Sequence, residues 1–200
     1  MMGAVAYSKA VAIAEMAKEA FQTGMEILQL VELMERQNSG RINGNISDSG
    51  AARAGITIRN SMTTRLVILV AGAFSPTRPD DRHLRKGFED LSDANLRSQL
   101  AMDQPAFADA ERMWQALQAD PRLTTIKHFR DKYTAHTANP KQGIAPPNFG
   151  EMFDFSRAVA AVMERFAIGV GVTTEKLSDT EDWRVESSQN FWEPWELLRR

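Results

Sequence analysis

Two hundred residues carry 24 Lys and Arg against 26 Asp and Glu, a formal charge of −2, with 43% hydrophobic residues and no cysteine. That apolar content suffices for one compact domain with a real core, and the absence of cysteine excludes a disulfide scaffold, thiolate zinc sites and a cysteine nucleophile. The near-neutral charge argues against a general nucleic-acid coat but leaves room for a local basic patch.

Residues 1–17 are rich in alanine and valine yet include Lys9 and Glu15. They lack the basic-then-apolar order of a secretory leader and are expected to open the first helix. Val11, Ala14, Phe21, Met25, Leu28, Val31 and Met34 predict one long amphipathic helix over 7–37. The polar stretch 38–50, rich in Gly, Asn and Ser, reads as a loop. Ser47, Asp48 or Ser49 is placed to cap the next helix, which runs to about residue 74. Its segment Leu66-Val67-Ile68-Leu69-Val70 is apolar on every side, so this helix is expected at the centre. The longest apolar run, residues 66–74, is about half of a bilayer span. No membrane association is expected, and a cytoplasmic location is.

The peptide Ser75-Pro76-Thr77-Arg78-Pro79-Asp80-Asp81 is a stop. Residues 82–90 predict a short turn of helix. Ser92 reads as the cap of a segment reaching Met102, and Pro105 suits the first turn of a helix ending near Ala119. Asp120-Pro121 breaks the pattern, and residues 123–137 predict another helix. The loop 138–150 holds three prolines. The last long helix, 151–172, has a regular stripe of Met152, Phe155, Val159, Val162, Phe166 and Val170, and Gly169-Val170-Gly171 reads as its termination. No repeat or strand-like alternation competes. The expected fold is all-α: an up-and-down bundle of long antiparallel helices over residues 1–177. Residues 178–200, with Trp183, Trp192 and Trp195 and an excess of acids, form an extension that packs on the bundle or on a partner.

Chemistry concentrates in Phe129-Arg130-Asp131-Lys132-Tyr133-Thr134-Ala135-His136. An arginine offers a permanent charge and a planar fork for phosphate oxygens. A histidine exchanges protons near neutral pH. Ile126, Phe129 and Tyr133 make the expected buried stripe, while His128, Lys132 and His136 share another face. Arg130 and His136 are six residues apart, about 120° on an ideal helix, so they do not converge within one chain. Either the helix unwinds near Ala138, or two copies face each other across a two-fold axis, which is the preferred arrangement. Between residues 122 and 141 the cations are Arg122, Lys127, Arg130, Lys132 and Lys141, and the sole acid is Asp131. Such a patch attracts a polyanion. A solvated helix end, where cations suit the helix dipole, explains the same charges.

Outside this segment, Arg65 either supports the site or pairs with a buried acid. Asp80-Asp81-Arg82-His83 has no second ligand cluster at metal-binding spacing, so no metal is expected, and His83 reads as an exposed helix-start residue.

Arg130 with its neighbour Asp131, then His136 with five residues between it and the arginine, late in an all-α chain, resembles the signature of the HEPN superfamily, the higher-eukaryote and prokaryote nucleotide-binding helical domain. The long first helix and a second helix with Thr64-Arg65-Leu66 before a Pro/Asp loop are most similar to the AbiU-type abortive-infection branch. The resemblance implies a metal-independent endoribonuclease, without a cofactor, acting as a homodimer in a toxin or phage-defence system. Arg130 would then polarise the scissile phosphate, His136 would move a proton at the 2′-OH or the leaving oxygen, and Asp131 would orient one of these groups. Lys127, Lys132 and His128 would line the RNA path, and Tyr133 would pack in the core. An antitoxin or regulatory protein is a further implied partner. Some branches carry a modifiable tyrosine two residues after the histidine; here that position is Ala138. The superfamily also includes inactive members that only bind nucleotides or proteins.

Overall fold

A computed structural model describes residues 2–78, 81–134, 145 and 147–197. Among them it is all-α, with no strand. The longest element is α1, Met2–Gln37, and the most buried is α8, Phe149–Val170. All six predicted stripe residues of α8 are buried, along with Phe153, Ser156, Ala160, Met163 and Ala167. An apolar period this regular fixes which side faces inward. Helix α8 starts where Asn148 accepts a hydrogen bond from Glu151 N at 2.8 Å. It ends at Gly171, whose φ of 81° is left-handed and whose N–H bonds back to the final turn. The terminal reading holds for Gly171, whereas Gly169 lies inside the helix.

Helix α8 lies between α1 and α6, Gln104–Ala119. The α1 face against it is built from Ile13, Ala17, Ala20, Ile27, Val31 and Met34. The expected stripe was therefore displaced: Val11 points outward, and Ile13 and Ile27 take the inner positions. On the other side, Gly169 lets the α6 backbone approach closely. A Cβ there would lie 2.7 Å from Phe107 Cα. Phe107, Phe166, Trp114 and Phe155 join Phe74 and Phe88 in one aromatic cluster, with Phe74 stacked on Trp114 at 4.5 Å between centroids.

Other sequence expectations are corrected. The polar stretch after α1 is a helix, α2, Gly40–Asp48, capped by Ser39 and carrying Ile42 and Ile46 inward. Two isoleucines one turn apart outweigh the turn propensity of Asn43-Gly44. Helix α3, Ala52–Gly72, begins without a side-chain cap; Ser49 braces Ala51 N just before it, at 3.1 Å. Nor is α3 central. Leu66, Val67 and Val70 are buried, but Ile68 is 43% exposed. Of the segment after α4, Leu84–Asp90, only α5, Ala94–Arg97, is helical, and Asp93 rather than Ser92 caps it. Ser92 instead donates to Glu89 O.

Past α8, a 3₁₀ turn, Leu177–Thr180, leads into α9, Glu181–Glu196. Helix α9 packs on the later half of α1. Trp192 Nε1 donates to Leu33 O at 2.9 Å, and Asn45 Nδ2 of α2 donates to Trp195 O at 2.6 Å. The buried Arg184 donates to Leu177 O at 2.7 Å and to Thr180 Oγ1, tying the 3₁₀ turn to α9. Among the described residues, no helix is long and apolar enough to cross a membrane.

Candidate functional site

Helix α7, Pro121–Phe129, starts at Asp120, whose carboxylate accepts from Arg122 N at 2.9 Å and grips the Arg122 guanidinium at 2.6 Å. Proline at the first helical position and aspartate before it form an ordinary helix start. The Arg122 guanidinium, through its hydrogen bonds, holds the Asp120 carboxyl below the usual aspartate value. Leu123 and Ile126 point inward and fasten α7 to the bundle.

At Arg130 the backbone changes. Its N–H is shared between Ile126 O and Lys127 O, and residues Arg130–Thr134 wind as a π-helix. A π-turn breaks the 3.6-residue register and recurs at functional sites. The 120° separation expected for Arg130 and His136 therefore does not carry through this segment. Residues 135–144, including His136, Ala138 and Lys141, lie outside the described residues, as does the Tyr133 side chain.

Arg130 is three-quarters buried, its side chain 24% exposed. Its Nε donates to Asp131 Oδ1 at 2.7 Å, and Nη2 meets the same oxygen at 2.7 Å. On the other side Nη1 reaches Ser75 Oγ at 3.4 Å and, at a long 3.5 Å, Ala71 O. The guanidinium thus spans from its neighbouring carboxylate to the end of α3, where the last carbonyls carry partial negative charge. It is held in one place by groups on two elements.

Lys127 sits one turn earlier, its Nζ 5.7 Å from the centroid of Phe74. Burial first, then the charges of Arg85 and Arg130, hold its amine below the ordinary lysine value, with Asp131 opposing them. Arg85 of α4, itself paired with Glu89 at 2.8 Å, thus belongs to the surroundings of Lys127, though nothing in the α7 sequence points to it. The available signal was the basic run Arg82, Arg85 and Lys86 on a short helix after the Pro/Asp stop.

The remaining expected residues divide. Lys132 is half-buried on the π-turn. His128 is buried, and its Nε2 has no hydrogen-bond partner among the described residues. It therefore points into the fold instead of sharing an open face with Lys132. Arg122, counted above in the basic window, is paired with Asp120, which stands just before that window, and its guanidinium lies 5.5 Å from the Phe155 centroid. Arg85 and Arg130 are paired in the same way, with Glu89 at 2.8 Å and Asp131 at 2.7 Å, so the net positive field is smaller than the sequence count and rests on Lys127 and Lys132, which make no ion pair among the described residues.

A cleft of about 560 Å³ opens between α1 and the end of α3, lined in part by Thr23, Ser75, Arg78, Asp81, Arg82 and His83. Ser75 belongs to both the cleft wall and the Arg130 contacts. Arg82 faces Glu15 at 3.4 Å and Glu19 at 3.3 Å, so the cleft is of mixed charge. His83 is not the exposed residue expected: its side chain is 15% exposed, and Nδ1 accepts from Lys86 N at 3.4 Å to cap α4. Asp80 lies outside the described residues, and among those described no group of three or more His, Asp or Glu is placed to hold a metal ion. Arg65 does find an acid, Glu26, in a two-pronged pair at 2.6 and 2.8 Å. Both side chains are exposed, so the acid is not buried and the pair contributes at most about 1 kcal/mol.

Comparison with models of protein families, with curated proteins and with solved structures finds no match to this chain.

Proposed function

We propose that this chain is a metal-independent endoribonuclease of a toxin or phage-defence system, as its resemblance to the HEPN superfamily implies. It acts on RNA as a homodimer, with Arg130, Asp131 and His136 of the facing copies forming the site. The supporting observation is the setting of Arg130: on a π-turn, clamped by Asp131 and Ser75, with the cation of Lys127 one turn earlier. A preorganised guanidinium is what the developing charge on a scissile phosphate requires.

In this reading the 2′-OH attacks the adjacent phosphorus, the bond to the 5′-oxygen breaks, and His136 transfers protons between the two oxygens. The products are a 2′,3′-cyclic phosphate and a free 5′-OH, and DNA is resistant because it lacks the nucleophile. Lys127 and Lys132 attract the backbone. An antitoxin or regulatory protein is the further partner of such a system.

A second reading is a helical module that binds a nucleotide or a protein without cleaving anything. It is favoured by the Nη1 contacts of Arg130 to Ala71 O and Ser75 Oγ, which give the arginine a structural task at the end of α3. The deciding experiment incubates a mixed RNA pool with the protein in EDTA, beside His136→Ala and Arg130→Lys. The ribonuclease reading requires cyclic-phosphate ends from the parent and a loss of about a hundredfold or more in each variant at unchanged melting temperature. RNA retention with no cleavage by any of the three proteins replaces it with the binding module.

A further inference from the structure

Two helices present apolar side chains to solvent on faces that no other described element covers. On α9, Trp183 is 61% and Phe191 51% exposed. At about 100° per residue, Phe191, Pro194 and Leu197 fall within about 80° of Trp183, opposite the packed residues Ser188 and Trp192. Asp182, Glu186 and Glu193 run along one edge of this face, and none makes an ion pair among the described residues. The whole helix holds five acids and one arginine, Arg184, which is buried.

Helix α3 is its counterpart in charge. It contains Arg53, Arg59 and Arg65 and no acid. Ala54, Ile58, Ser61, Arg65 and Ile68 are all exposed and recur every three or four residues, the spacing of a seam between paired helices. Arg65 is at the surface but already paired with Glu26, whereas Arg53 is exposed and makes no ion pair among the described residues.

We infer that the acidic apolar face of α9 docks on the cationic apolar face of α3 in a second copy of this chain. Trp183 and Phe191 meet Ile58 and Ile68, and the α9 acids meet Arg53, which has no acid of its own chain to pair with among the described residues. Pairing α9 with α9, or α3 with α3, sets like charges together and is disfavoured. The acids of α9 also repel RNA and anionic lipid surfaces. The contact joins two different patches, so it is distinct from a two-fold pairing of the Arg130 segments, and it stands or falls independently of ribonuclease activity.

Sedimentation velocity of the full chain over a concentration series tests this with Trp183→Glu and Ile58→Glu. Both positions are exposed, and circular dichroism should show both variants folded. The parent is expected to form a larger species than either variant alone, each substitution weakening association at least about tenfold. Mixing the two variants should restore a mixed species, because one retains an intact α3 face and the other an intact α9 face. Raised salt should weaken the parent's association. A parent no larger than the variants, a mixture no larger than its components, or loss with only one of the two substitutions overturns the inference. A dimer through Arg130 would persist in all samples and is read separately.

Discussion

Helices α8 and α3 are both long and rich in apolar residues, yet one becomes the axis of the bundle and the other keeps a face in solvent. In α8 the apolar residues recur with the helical period over its whole length, so a single side is inward and is covered by both α1 and α6. In α3 they crowd into residues 66–71, and the first three turns carry arginine, threonine and asparagine. A local run that is apolar all round cannot bury every side unless elements exist to cover it. Here α7 and the π-turn cover one flank of α3, α1 covers another, and Ile68 is left outside. Regular period, more than the density of apolar residues, marks the central helix.

The contrast can be broken first at α8. Phe155 is fully buried within the aromatic cluster. Phe155→Ala should cost about 3–5 kcal/mol in a denaturant titration, through lost contacts and the cavity left behind. A loss below about 1 kcal/mol would mean α8 is not the axis.

The flank of α3 depends on how α7 begins. Asp120→Ala removes a cap and a paired carboxylate and should cost about 1 kcal/mol near neutral pH. The pH dependence separates the two parts. The folded Asp120 carboxyl lies below its ordinary value of 3.8, so the charge-linked stability is present above that value and is lost as pH falls through the depressed one. Asp120→Asn keeps a capping oxygen and should flatten this acid limb, as measured by denaturation midpoints at a series of pH values. The smallest effect is expected on the open side of α3. Ile68→Ala should change stability by no more than about 0.5 kcal/mol, despite its place in the most apolar segment of the chain.

The α8 stripe, the helix start at Pro105, the break at Asp120-Pro121 and the all-α class were legible in the sequence because they rest on local period and on helix-start residues. Helix α2 was hidden by Asn43-Gly44, a turn signal that Ile42 and Ile46 overrule once there is a core to enter. The surroundings of Arg130 were not legible beyond Asp131. Ala71 at the end of α3 and Ser75 just past it lie more than fifty residues earlier, and Arg85 comes from α4. Their approach is a product of packing. His128 was assigned to the open face by its four-residue spacing from Lys132, but the π-turn intervenes between the two.

The placing of the tryptophans gives the chain an optical readout of the outer face of α9. Trp114 and Trp192 are enclosed and should emit at short wavelength with little access to a soluble quencher, whereas Trp183 stands in water. Acrylamide should therefore extinguish one component of the fluorescence early and leave another. Whatever covers the outer face of α9 will protect that first component, so occupancy of the surface can be followed in the unlabelled protein.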